Sequence, residues 1–147
     1  MANSNISYMP TDGLSYDPSD AVYWDPEALQ KEITRVFEVC HGCRMCFKYC
    51  DSFPTLFDLI DNKRDEDVRN LTEADLEEVA DGCFQCKLCE VQCPYTPADN
   101  HEFQLDFPKL IHRYRAQQRT TKGLSFAEKT LTDPDGTAKK ARMSLGL

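Results

Sequence analysis

Cys40-His-Gly-Cys43-Arg-Met-Cys46-Phe-Lys-Tyr-Cys50 and its second copy, Cys83-Phe-Gln-Cys86-Lys-Leu-Cys89-Glu-Val-Gln-Cys93-Pro94, decide how this chain is read. Both copies place cysteines at offsets of 3, 3 and 4, and together they use all eight cysteines of the 147 residues. This C-x2-C-x2-C-x3-C run is the thiolate signature of [4Fe–4S] clusters. Three cysteines spaced by two residues wrap a tight loop around three corners of a cubane. The fourth points away and, in two-cluster ferredoxins, ligates the other cluster. The expected ligand sets are therefore Cys40, Cys43, Cys46 and Cys93 for one cluster, and Cys83, Cys86, Cys89 and Cys50 for the other. Such crossing makes the motifs interdependent, so loss of one cysteine is expected to damage the whole core. Electron transfer is the leading expectation.

Other uses of cysteine fit less well. Structural zinc takes four ligands, commonly as two C-x2-C pairs, which leaves the third and fourth cysteines of each copy unexplained. A disulfide framework suits small secreted domains. The first residues, Met-Ala-Asn-Ser-Asn-Ile-Ser, lack the basic start and apolar run of a secretory signal.

The length suits one modest domain, and 41% apolar with 29% charged residues suits a folded, soluble one. No apolar run approaches the ~18 residues of a membrane span. Reduced thiols and oxygen-sensitive clusters lead us to expect a cytoplasmic location, with any place at the inner face of the membrane reached through partners. The net charge of −8 is uneven: −5 over residues 1–39, −8 over 40–112 and +5 over 113–147. An acidic cluster domain is poorly suited to nucleic acid. It suits steering of a basic redox partner, or simply a solvated, soluble surface.

Residues 1–24, with Pro10, Gly13 and Pro18, read as an extended arm of little core potential that Tyr8, Tyr16, Tyr23 and Trp24 anchor to a surface. Residues 25–119 read as the helical cluster domain and 120–147 as a tail, partly disordered or ordered by a partner. A first helix is expected from Asp25-Pro26, with Leu29, Ile33, Val36, Phe37 and Cys40 on one face. Ser52-Phe-Pro54 opens a second through Leu56, Phe57, Leu59 and Ile60. A third is capped by Thr72, buries Leu76, Val79 and Ala80, and ends at Gly82 just before Cys83. Pro108 opens a further helix with a Leu110, Ile111, Tyr114 stripe. Its other face, carrying Lys109, His112, Arg113, Arg115 and Arg119, is expected to be solvated or to serve as a docking or membrane-surface face. No period-2 alternation is visible, so the fold class is mostly α: an α-helical ferredoxin with two [4Fe–4S] clusters, an extended N-terminal arm and a C-terminal helical tail.

Beside the cysteines lie Phe47, Tyr49, Phe84 and Tyr95, read as core aromatics that exclude water. Lys48 and Lys87 are expected to face solvent. His41 is read as a surface histidine, with a hydrogen bond to sulfur as the alternative. No nucleophile–base set, phosphate-binding loop or dinucleotide fingerprint is present. The chain is therefore expected neither to bind its own flavin or nicotinamide nor to catalyse substrate chemistry alone.

The two cysteine motifs, their long spacer, and Cys93-Pro-Tyr-Thr-Pro97 leading to Asp106-Phe-Pro-Lys-Leu110 resemble the N-terminal part of the heterodisulfide-reductase-related iron–sulfur proteins, a family that includes the iron–sulfur component of anaerobic glycerol-3-phosphate dehydrogenase. The resemblance covers roughly residues 25–130. It implies an α-helical ferredoxin fold and electron relay, as a non-catalytic subunit, between a flavoprotein or other redox subunit and a quinone or another acceptor. It also implies peripheral membrane association through a partner. A redox sensor or interaction module built on the same clusters is the alternative. The stretch departs from the family in two ways: it has no adjacent Cys-Cys pair, and Asp51 follows Cys50 where proline follows Cys93.

Overall fold

A computed structural model describes residues 6–144. Among them the ordered structure is helical with no β-strand, as the absent period-2 alternation predicts. The chain divides into two compact units between Gln117 and Gln118.

In the first unit, α1 spans Pro26–Cys43. Asp25 caps it, its carboxylate accepting from the Glu27 and Ala28 amides, and Pro26 supplies a pre-set φ at the first helical position. Leu29, Ile33, Val36 and Phe37 are buried along one face, each worth about 1.5–3 kcal/mol of apolar transfer. The helix ends at Arg44, a non-glycine residue in the left-handed region at φ 54°, whose amide donates to Cys40 O at 2.8 Å.

Helix α2 (Ser52–Asp58) runs into a π-helical turn at Leu59–Lys63. The turn keeps Leu59 and Ile60 buried while presenting Asp61 beside the end of α1. Helix α3 (Glu73–Asp81) begins with a capping box, in which Thr72 Oγ1 accepts from the Asp75 amide and Asp75 from that of Thr72. The same Asp75 carboxylate receives two bonds from Arg64, at 2.7 and 3.0 Å.

Helices α2 and α3 touch just after Cys50 and just before Cys83. Ser52 Oγ donates to Val79 O at 2.6 Å, and a Cβ on Gly82 would lie 2.7 Å from Ser52 N. Gly82 has an ordinary helical φ of −68°, so close backbone approach, not conformational freedom, requires glycine there.

Helix α4 (Leu88–Gln92) lies within the second motif, and α5 (Phe107–Lys122) buries Phe107, Leu110, Ile111 and Tyr114 in the same core. Two arginines clamp the N-terminal arm. Buried Arg113 donates to the carbonyls of Gly13, Ser15, Val22 and Tyr23. Buried Arg35 pairs with Glu32 and donates to Tyr8 O and Phe103 O, while Thr11 adds two bonds to Glu32. The arm is thus held through its backbone as well as its aromatics. Arg113 does not join a solvated basic face. Its charge is buried against a shell of carbonyl oxygens, an acceptor set that sequence periodicity cannot display.

In the second unit, Ser125 caps α6 (Phe126–Thr132) through a capping box with Glu128, and α7 spans Pro134–Ser144. Neither helix has a buried residue. No helix among the described residues is long and apolar enough to cross a membrane.

Candidate iron–sulfur centre

The two motifs are delivered by different local structures. Cys40 and Cys43 lie one turn apart at the C-terminus of α1, and Cys46 follows in the turns beyond it. Cys50 precedes α2, where the amides of Ser52 and Phe53 donate to its sulfur. In the second copy, Cys83 and Cys86 sit in an extended segment after α3, Cys89 lies in α4, and Cys93 follows α4 and receives the Tyr95 amide. The repeat is retained in the backbone at one point. Arg44 and Lys87, at matching places between the second and third cysteines, both adopt positive φ, 54° and 63°.

The cysteines gather across the motifs. Cys40, Cys43, Cys46 and Cys93 line one cavity of about 320 Å³ including its mouth, with Phe53, Phe57, Tyr95 and Leu105 in its wall. The Cys50 thiol feels Cys83 and Cys86 as its neighbouring charges, and Cys89 feels Cys46, Cys83, Cys50 and Cys86. The groups adjoin: Cys46 Sγ lies 3.8 Å from Cys89 O, and a second cavity is lined by Cys40, Cys46, Cys89 and Cys93. Among the described residues, no three His, Cys, Asp or Glu side chains converge as ligands of a single metal ion do.

Burial and mutual repulsion make these thiols hard to ionise together. Burial, then the nearby Cys93, Cys46 and Cys43, pushes Cys40 well above the ordinary thiol value. The same causes raise Cys46 to about 11 and Cys89 to about 12. Thiols raised in this way become thiolates together only opposite concentrated positive charge. An iron–sulfur cluster would supply that charge, and cysteine sulfurs are the donors it takes. The residues present therefore fit an iron–sulfur cluster.

Around the cysteines the side chains depart from several expectations. Phe47 and Phe84 are 58% and 74% exposed, so they form no core. Met45, Leu88 and Val91 are exposed as well. Tyr95 is the aromatic that closes a cavity, and it lies beside Cys43. His41 is held by Asp61, Nε2 to Oδ1 at 2.7 Å, and not by a sulfur. Arg44 joins the same Asp61 at 2.6 Å and lies over the Phe57 ring. Lys48 lies over Tyr49 and Lys87 near Glu90, both on the surface.

Two contacts have no sequence signal. Gln85, at φ 56°, points its Nε2 at Cys83 Sγ (3.4 Å) and Pro108 O (3.2 Å). Arg115 of α5 donates to Ala80 O and, at 2.8 Å, to Cys83 O. Arg115 is therefore spent on the second motif and is not available to a docking face.

Comparison with known proteins agrees with this chemistry. Residues 47–121 match the family described as the Citrate utilization protein B Fer4-like domain, a span that holds Cys50, Cys83, Cys86, Cys89 and Cys93. The chain is 31% identical over 88 residues to Citrate utilization protein B of Escherichia coli. That alignment takes in 60% of this chain and 20% of the relative, so the chain spans about a fifth of that protein's length. No solved structure matches. With half of its length inside that match, the chain belongs to the Citrate utilization protein B Fer4-like domain family.

Proposed function

We propose that this chain is an electron-transfer module that passes single electrons through two [4Fe–4S] clusters. Cys40, Cys43, Cys46 and Cys93 hold one cluster, and Cys50, Cys83, Cys86 and Cys89 hold the other. The observation that carries this reading is the gathering of cysteines across the two motifs, with Cys93 in the cavity of the first motif and Cys50 among the cysteines of the second. The clusters, when bound, supply one-electron redox chemistry at low potential. The chain's own residues hold the sulfurs, exclude water at the walled cavity of Phe53, Phe57 and Tyr95, and donate amide hydrogens to Cys50 and Cys93. The contact of Cys46 with the Cys89 carbonyl supports a short path between the two sites.

The electron donor is a flavoprotein or other redox subunit of a dehydrogenase or reductase complex, and the chain is its non-catalytic relay. The relative's name links that protein to citrate utilization, which favours an organic-acid redox system for this chain too. The Cys93-Pro-Tyr-Thr-Pro97 stretch supports the narrower likeness to heterodisulfide-reductase-related relays. Chemical analysis of anaerobically purified protein tests the cofactor content. About eight irons and eight sulfides per chain are expected. Zinc, or iron without sulfide, would remove the proposal.

A further inference from the structure

The two cysteine groups differ in how their sulfurs are hydrogen-bonded. Backbone amides serve both groups, at Cys50 and at Cys93. Cys83 receives a side-chain amide instead, from Gln85 Nε2 at 3.4 Å. The same nitrogen reaches Pro108 O at 3.2 Å, so the two hydrogens of the amide have two acceptors and its orientation is fixed. The positive φ of Gln85 folds its side chain back toward the cysteine two residues earlier. Arg115, also on α5, holds the peptide on the other side through Cys83 O. Helix α5 therefore grips the Cys83 loop at both Pro108 and Arg115. Cys83 is 7% exposed, the least accessible of the eight cysteines, and a hydrogen bond in such surroundings is less screened by water.

We infer that Gln85 is a positioning residue that raises the reduction potential of the cluster held by Cys50, Cys83, Cys86 and Cys89 and leaves the other cluster unaffected. The inference rests on the two-cluster reading above. An added electron places negative charge on iron and its sulfur ligands, and an N–H aimed at a ligand sulfur stabilises that reduced form more than the oxidised one. In the other group, the Tyr95 hydroxyl is the polar side-chain group beside Cys43.

The test is a redox titration followed by EPR on the full chain and its Gln85→Met variant, which keeps the length of the side chain and removes the donor. Dithionite is the reductant, and iron and sulfide are counted in parallel. With iron content unchanged, one of the two midpoints is expected to become more negative. The reduced-to-oxidised ratio of that cluster at fixed potential should fall about tenfold, 59 mV for a one-electron couple. Tyr95→Phe should move the other midpoint only. Full iron with both midpoints unmoved in Gln85→Met would overturn the inference.

If Gln85→Met loses iron, the wild-type chain decides. Pulsed EPR of protein carrying a 15N label in glutamine side chains should show a weakly coupled nitrogen at one reduced cluster, and its absence would overturn the inference. A wild-type chain without two clusters would instead remove the proposed function on which the inference stands.

Discussion

Replacing Gly82 with alanine tests whether backbone contact between α2 and α3 is what brings Cys83 to Cys50. The added Cβ would sit 2.7 Å from Ser52 N, 3.0 Å from Ser52 Cα and 3.1 Å from Asp51 C. All three are backbone atoms, so no side chain can swing aside. Ser52 is fully buried and fixed to Val79 O, so α2 has no free direction of retreat. The backbone of Gly82, at φ −68° and ψ −10°, suits alanine, and the less flexible unfolded chain would by itself favour the variant by about 0.4–1 kcal/mol. Overpacking of this kind costs about 1–3 kcal/mol. The net expectation is a loss of about 1–2 kcal/mol, together with a shift of Cys83 away from Cys50. Urea denaturation of anaerobic protein, followed with iron per chain, reads both effects. Gly42→Ala is the control: it lies in α1, its nearest foreign atom is Tyr8 Oη at 3.7 Å, and it should be neutral or stabilising by up to about 1 kcal/mol. A Gly82→Ala chain as stable as wild type with full iron would refute the reasoning.

Arg113→Met should cost about 3 kcal/mol or more, because Gly13, Ser15, Val22 and Tyr23 lose a charged donor, and should expose the arm to limited proteolysis; an unchanged melting point and digestion pattern would contradict the clamp. In the metal-free chain, Cys46 at about 11 is about 0.1% thiolate at pH 8, so alkylation there should be slow at Cys40, Cys46 and Cys89 and fast at exposed Cys86; uniform rates would contradict the gathering. The same raised thiols bind protons more tightly folded than unfolded, so the stability they contribute is present below about pH 8.5 and is lost as pH rises toward 11–12, which urea midpoints against pH would show. Each cysteine variant should lose iron overall, but Cys93→Ser should weaken most the EPR signal that Cys40→Ser weakens most, and Cys50→Ser the one that Cys83→Ser does; pairing within each motif would contradict the crossed ligation.

The helices that carry the cysteines were legible because their signals are local. Asp25-Pro26 before a 3.6-residue apolar stripe, and Thr72 three residues before Asp75, report on the backbone next to them. The cysteine spacing likewise named the chemistry. Tertiary acceptors leave no such trace. Arg113 and Arg115 look like neighbours of Lys109 and Arg119 on a basic face, yet their hydrogen bonds end on carbonyls up to 100 residues away. Phe47 and Phe84 misled in the opposite direction, since an aromatic beside a cysteine says nothing about whether a partner lies across from it. Gly82 was legible as a helix end, but for a different physical reason, the approach of Ser52. Nor did composition mark the π-helical turn at Leu59–Lys63, which sets Asp61 against His41 and Arg44.

The most direct measurement is low-temperature EPR of anaerobically purified protein before and after dithionite, with spin quantitation. Two neighbouring clusters predict about two spins per chain after reduction, with line splitting from their mutual interaction. A single isolated signal, or none at all in fully reduced protein, would contradict the two-cluster relay.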